Sequence, residues 1–235
     1  MVKEAPWWDR LSLVFSVVVV GIAAVVMLQS GMFNSSLTTD SQITWHLIRS
    51  AGILGYILLT ISMLWGLAVS SRAVNDWSPG ALSMLMHGTI SWLALILSIG
   101  HALLLMVDKY FAYQIADVLI PFVGPYRTFA VGLGTLSLWI MLAVSVSFWI
   151  RDRMGYRNWW WLHLTSYITF GLATAHGLLA GTDSERLGIR VLLLISVLLV
   201  TGFTTYRVYK ALPNHRNAYP KRLNQLPLPH MYSGV

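Results

Sequence analysis

Between positions 87 and 104 the sequence reads HGTISWLALILSIGHALL. A histidine stands near each end of this apolar stretch, and His87 and His101 are 14 positions apart. A second apolar stretch, residues 159–180, carries His163 and His176, which are 13 positions apart. Polar rings are costly in hydrocarbon, so histidines within apolar spans are candidates for function. Two such pairs at nearly equal spacing are the strongest functional signal in the chain.

The composition is that of a membrane protein, because 56% of the residues are hydrophobic and only 11% are charged. The chain has no cysteine. Zinc-thiolate sites, iron–sulfur clusters, thiolate-bound haem and haem attached covalently through a C-x-x-C-H motif are therefore excluded. The net charge is +7, but the basic residues cluster at the ends of apolar spans, which argues against nucleic acid as a partner.

The hydropathy pattern predicts an all-α, polytopic bundle of six transmembrane helices. Spans of about 19 to 27 residues are long enough to cross a hydrocarbon core of about 30 Å in contact with lipid. We expect one six-helix domain over residues 1–212, followed by an extended cytoplasmic tail over residues 213–235. The predicted spans are 11–29, 43–69, 83–107, 128–150, 159–180 and 187–209.

The basic residues predict the orientation of the bundle in the cell (inner or plasma) membrane. Eleven lysines and arginines fall on the side of the two termini and four fall on the other side. Cytoplasmic loops are enriched in basic residues, so both termini are predicted to be cytoplasmic. Spans 83–107 and 159–180 then both run outward. This places His87 level with His163 near the cytoplasmic face, and His101 level with His176 near the outer face.

Each level has the ligands that a b-type haem needs, since two neutral imidazoles can hold its iron from opposite sides within an apolar slot. The 13-residue spacing is a misfit, because it puts the two histidines about 140° apart on a straight helix. We expect a bend near Gly171 to absorb it. Two alternatives remain open: single histidines that only bond a neighbouring helix, and a zinc or copper site, for which the ligands lie far apart along each helix.

Residues 110–127 read YFAYQIADVLIPFVGPYR, a segment that is apolar and aromatic but too short to span the bilayer. We expect it to lie in the outer interface and to cover the outer site.

Residues 87–104, together with WIRDRMGYRNWWWLHLTSYITFGLATAHGLL at 149–179, resemble the ferric reductase-like transmembrane domain. Ferric reductases, NADPH oxidases and the haem-binding membrane subunit of the bacterial methionine sulfoxide reductase system share this domain. The resemblance implies electron transfer across the membrane through two haem b groups. It also implies that His87 and His163 bind the inner haem iron, and that His101 and His176 bind the outer one.

Two arginines are further candidates for binding this cofactor. The resemblance places Arg49 close to the haems, where it would pair with a propionate or raise a potential; the alternative is an arginine that extends to the membrane interface. Arg127 is a candidate partner for an outer propionate or, alternatively, an interface anchor.

The expected electron donor is a separate molecule. The last predicted span ends at residue 209, and the sequence contains no GxGxxG fingerprint, whereas ferric reductases and NADPH oxidases usually carry a cytoplasmic domain for FAD and NAD(P)H. We therefore expect a haem-containing oxidoreductase subunit, with flavin or NAD(P)H only on a partner. A cytoplasmic protein or a quinol would reduce it, and an extracytoplasmic acceptor would oxidise it. Two alternatives are a quinol-linked cytochrome b anchor subunit and a haem-free structural or transport protein.

Overall fold

The structure of the chain is a computed structural model that describes Val14 and residues 41–74, 78–108, 113–181 and 184–212. Apart from Val14, the predicted first span and the predicted tail lie outside these ranges. All regular structure in the described ranges is helical, which confirms the predicted all-α class. The helices are α1 (Ser41–Ser70), α2 (Gly80–Val107), α3 (Ile115–Leu119), α4 (Thr128–Ser147), α5 (Arg151–Met154), α6 (Tyr156–Leu164), α7 (Ser166–Ala180) and α8 (Leu187–Ala211).

Four helical stretches in the described residues are long and apolar enough to cross a membrane. They correspond to the predicted spans 43–69, 83–107, 128–150 and 187–209, and the third of them continues from α4 through a 3-10 turn into α5. Their bounds are Thr44–Ser70, Gly80–Val107, Thr128–Met154 and Leu187–Ala211. The count of six spans and the cytoplasmic position of both termini stay predictions.

The predicted span 159–180 is two helices, α6 and α7, that meet at Thr165. The Thr165 backbone N–H and its Oγ1 both donate to the Leu162 carbonyl, at 3.0 and 2.6 Å. Such bonds tighten the turn and compete with the regular α-helical pattern. Gly171 lies inside α7 and does not interrupt the helix, and the bend expected near it stays a prediction. The interruption of the helix between His163 and His176 is at Thr165.

The helices pack around an apolar layer whose residues Leu59 and Met141 line the cavities of both histidine pairs. α1 packs most extensively along α2, and α4 along α7, while α8 lies against α1. Ser62 Oγ and Ser91 Oγ, 2.7 Å apart, join α1 to α2, and Ser137 Oγ donates to the Thr169 carbonyl of α7 at 2.9 Å. Small polar residues allow such close contact between membrane helices. The buried apolar side chains of the layer are Leu59, Met63, Leu67, Trp92, Ala94, Leu95, Met141, Phe170 and Val200.

The segment before α4 has apolar side chains on both its buried and its exposed side. Tyr113 and Val118 are buried, whereas Ile115, Leu119 and Ile120 of this segment are exposed. An apolar surface on so short a helix suits the predicted position in the outer interface. Tyr113 and Val118 also line the cavity between the outer histidines, so the segment covers that site.

Candidate functional site

The structure brings the four histidines together as two cross-helix pairs. His87 of α2 and His163 of α6 have ring centroids 6.2 Å apart and ring planes 71° apart. His101 of α2 and His176 of α7 have centroids 6.2 Å apart and planes 73° apart. All four side chains are half-buried. The two pairs are therefore nearly identical in geometry, although one of them includes α6 and the other α7, on either side of the break at Thr165.

This geometry fits a metal held between two imidazoles. Since a metal–imidazole bond is about 2 Å long, two nitrogens on opposite sides of one metal lie about 4 Å apart, and their ring centres roughly 6 Å apart. Both pairs have this separation. No group of three or more His, Cys, Asp or Glu side chains suited to a metal ion occurs in the described residues. A haem iron needs only two axial ligands from the protein, so the pairs suit haem better than a structural zinc with four protein ligands.

Backbone hydrogen bonds fix both outer rings. His101 Nδ1 donates to the Ile48 carbonyl at 2.8 Å, and His176 Nδ1 donates to the Ala130 carbonyl at 2.9 Å. A carbonyl only accepts, so Nδ1 carries the proton and Nε2 keeps a free lone pair in the neutral ring. Metal-binding histidines commonly have this arrangement, in which the second nitrogen donates to a carbonyl or carboxylate.

The inner rings are held differently. The backbone of Ser62 approaches His87, but His87 Nδ1 makes no hydrogen bond of standard geometry in the described part of the chain. His163 stacks on Trp159, one helical turn earlier, with centroids 5.0 Å apart and planes 24° apart. Residues four apart share a helix face, so α6 itself supplies this stack.

A cavity lies between the rings of each pair. The outer cavity has a volume of about 270 Å³ and the inner cavity about 1200 Å³. Leu59 and Met141 belong to the apolar layer and line both cavities. The two cavities are therefore separated by this layer. A slot with apolar walls between two ring nitrogens is the environment that a b-type haem requires.

The two candidate arginines have different positions. Arg49 lines the outer cavity, and its Cζ lies 3.8 Å from the ring centroid of Trp45. Arg127 is exposed, does not line either cavity, and donates from Nη1 to the Leu179 carbonyl at 2.6 Å. Leu179 is in the last turn of α7, where carbonyls lack partners within the helix. The structure therefore places Arg49 at the outer site and gives Arg127 a bond that closes the end of α7.

Two arginines of the inner cavity were not among the predicted site residues. Arg151 and Arg207 line this cavity together with His87 and His163. Both residues counted toward the orientation in the sequence. Nothing in the sequence distinguished them from other basic residues near inner helix ends.

Residues 51–174 match the family model described as ferric reductase like transmembrane component, and this match covers more than half of the chain. The chain belongs to this family. This match confirms the resemblance to the ferric reductase-like transmembrane domain that was drawn from residues 87–104 and 149–179. The match includes His87, His101 and His163, while His176 lies two residues beyond it. No curated protein and no solved structure matches the chain.

Proposed function

We propose that this ferric reductase-like domain carries electrons across the cell membrane through two b-type haems. His87 and His163 bind the inner haem iron, and His101 and His176 bind the outer one. The observation that supports this most is the equal separation of 6.2 Å in the two pairs, on helices that bring both levels into register.

The protein's own groups have three tasks in this proposal. The four histidines would bind the haem irons, and protonation of Nδ1 in His101 and His176 leaves their Nε2 lone pairs available for a metal. The apolar layer with Leu59 and Met141 keeps water away from the path between the two sites. When bound, the haems supply the one-electron chemistry that no side chain here provides.

Arginines supply the charges that haem propionates require. Arg49 serves the outer site, and Arg151 and Arg207 serve the inner site. A carboxylate in a partly apolar cavity is stabilised by a nearby guanidinium, which binds it with directed hydrogen bonds. Arg127 has no such task in the proposal, because its guanidinium binds the Leu179 carbonyl.

Electrons enter at the cytoplasmic side from a separate donor protein or a quinol, and leave to an extracytoplasmic acceptor. The sequence contains no GxGxxG fingerprint for a dinucleotide. Exposed basic residues at the inner end, Arg153 and Arg157, offer a surface of the charge that would attract an acidic donor.

Electron transfer into sealed vesicles tests this function. The purified protein is reconstituted into liposomes that enclose ferricyanide, and dithionite is added outside as an impermeant reductant. We expect ferricyanide reduction that is lost in His87→Ala and in His176→Ala. His46→Ala is the matched control, because His46 is exposed and lines neither cavity. Transfer at the wild-type rate in either His87→Ala or His176→Ala contradicts the proposal.

A further inference from the structure

We propose that Gly52, Gly66 and Gly134 are positioning residues for three of the four histidines. Each glycine leaves the space in which one imidazole lies directly against the backbone of a neighbouring helix. This inference rests on the proposed function, since it concerns how the rings are held for haem.

The space at each glycine is too small for any other residue without movement. A Cβ atom at Gly52 would lie 2.9 Å from His101 Cε1, and one at Gly66 would lie 3.0 Å from His87 Cε1. At Gly134 a Cβ atom would lie 2.7 Å from His176 Nδ1. Carbon atoms in van der Waals contact are about 3.5–4.0 Å apart. An alanine therefore displaces the imidazole or separates the two helices.

Two of the three glycines, Gly52 and Gly134, are each paired with the carbonyl one helical turn before them. The carbonyl four residues before Gly52 is that of Ile48, which accepts from His101. The one four residues before Gly134 is that of Ala130, which accepts from His176. An α-helix bonds residue i to the carbonyl of residue i−4. The glycine N–H already donates to this carbonyl within the helix. An imidazole that lies against the glycine can therefore reach the same carbonyl, which then accepts a second hydrogen bond from Nδ1.

The spacing of the glycines along α1 matches that of the histidines along α2. Gly52 and Gly66 are 14 positions apart, as are His87 and His101. Gly52 meets His101 and Gly66 meets His87, so the two helices are antiparallel and each level has its own glycine. On α4, Gly134 completes the set for His176. The fourth histidine, His163, is oriented instead by its stack on a tryptophan of its own helix.

Glycine-to-alanine variants test the inference. Gly100→Ala and Gly171→Ala are matched controls, because a Cβ atom at either position meets nothing within 4 Å. All five variants gain similar helix propensity, so differences between them come from the contact with the histidine. The readouts are the rate at which each haem is lost to a haem-scavenging apoprotein and the midpoint potential of each haem.

We expect Gly134→Ala and Gly52→Ala to weaken the binding of the outer haem only, and Gly66→Ala to weaken the binding of the inner haem only. Loss of a group that orients a metal ligand typically lowers affinity about 10- to 100-fold. The shorter contact predicts a larger effect for Gly134→Ala than for Gly66→Ala. Both controls should keep wild-type rates and potentials.

Two results overturn the inference and leave the proposed function intact. One is wild-type haem retention and potentials in Gly52→Ala and Gly66→Ala while histidine variants lose haem. The other is equal loss in the control variants, which would indicate a general effect on the helices. Should Gly134→Ala not fold, Gly66→Ala has the mildest contact and decides the matter. If no histidine variant loses haem, the proposed function itself fails.

Discussion

Replacing Trp159 by leucine should weaken the binding of the inner haem and leave the binding of the outer haem unchanged. Trp159 stacks on His163 with centroids 5.0 Å apart, and Trp159 also contacts Phe148 and Tyr156. Neither His87 nor His163 has a ring hydrogen bond of standard geometry in the described residues. The stack is therefore the main constraint that orients the His163 ring before haem binds.

The size of the effect follows from the energy of an aromatic pair. Such a pair contributes about 0.5–1.5 kcal/mol beyond the area that it buries, which corresponds to an affinity change of about 2- to 13-fold. Leucine keeps an apolar side chain at the cavity wall but provides no ring face. The outer rings are held by carbonyls of α1 and α4, so their haem should not respond.

The assay is the rate of haem loss from the purified, folded variant. The midpoint potential of the haem that remains identifies which of the two has been lost. Trp161→Leu is the control, because Trp161 is on the same helix but is 59% exposed and does not line the inner cavity. Our account of the inner site is refuted if Trp159→Leu loses its inner haem no faster than Trp161→Leu. It is also refuted if both haems are lost together.

Three further changes probe the outer end of the bundle. Arg49→Gln should lower the outer midpoint potential, because Arg49 lines the outer cavity and a positive charge there favours the haem that has accepted an electron; an unchanged potential would place this charge away from the haem. Arg127→Ala should reduce the free energy of unfolding by about 1 kcal/mol through loss of the bond to Leu179, with both haems retained, and loss of the outer haem would instead indicate a propionate contact. Burial raises the pKa of Tyr113, so its neutral form stabilises the fold below about pH 10 and this contribution is lost as pH rises through the raised pKa. Thermal unfolding at about pH 9 and about pH 11 should therefore show a larger drop for the wild type than for Tyr113→Phe, and equal drops would exclude Tyr113 as the cause.

Hydropathy predicted four of the spans to within a few residues. The predicted span 83–107 is α2, Gly80–Val107, and the predicted span 187–209 is α8, Leu187–Ala211. Long apolar runs predict helix reliably in a membrane, because a helix satisfies its own backbone hydrogen bonds. The pairing of the histidines followed from the same runs, since the position of a residue along a helix depends on the rise per residue.

The break in the fifth predicted span could not be located from the sequence. Gly171 was the plausible position because glycine weakens a helix, yet the helix continues through Gly171 without interruption. The break at Thr165 depends on the rotamer in which its hydroxyl reaches the Leu162 carbonyl. That choice is made by local geometry, which residue types alone do not specify.

The arginines show a similar limit. Arg49 and Arg127 were equivalent candidates in the sequence, but only Arg49 lines a cavity. Arg151 and Arg207 line the inner cavity, although positive charges at inner helix ends are common enough in membrane proteins that they carried no specific signal. The direction of a long side chain near the interface depends on its neighbours, so a position along the span does not determine what its head group contacts.

Haem stoichiometry in the wild type and in the four single His→Ala variants tests the central claim most directly. A reduced-minus-oxidised spectrum with iron analysis should give two haems per chain in the wild type. His87→Ala and His163→Ala should lose one and the same haem, and His101→Ala and His176→Ala the other. The claim is contradicted if the wild type binds no haem, or if His87→Ala and His101→Ala abolish the same one.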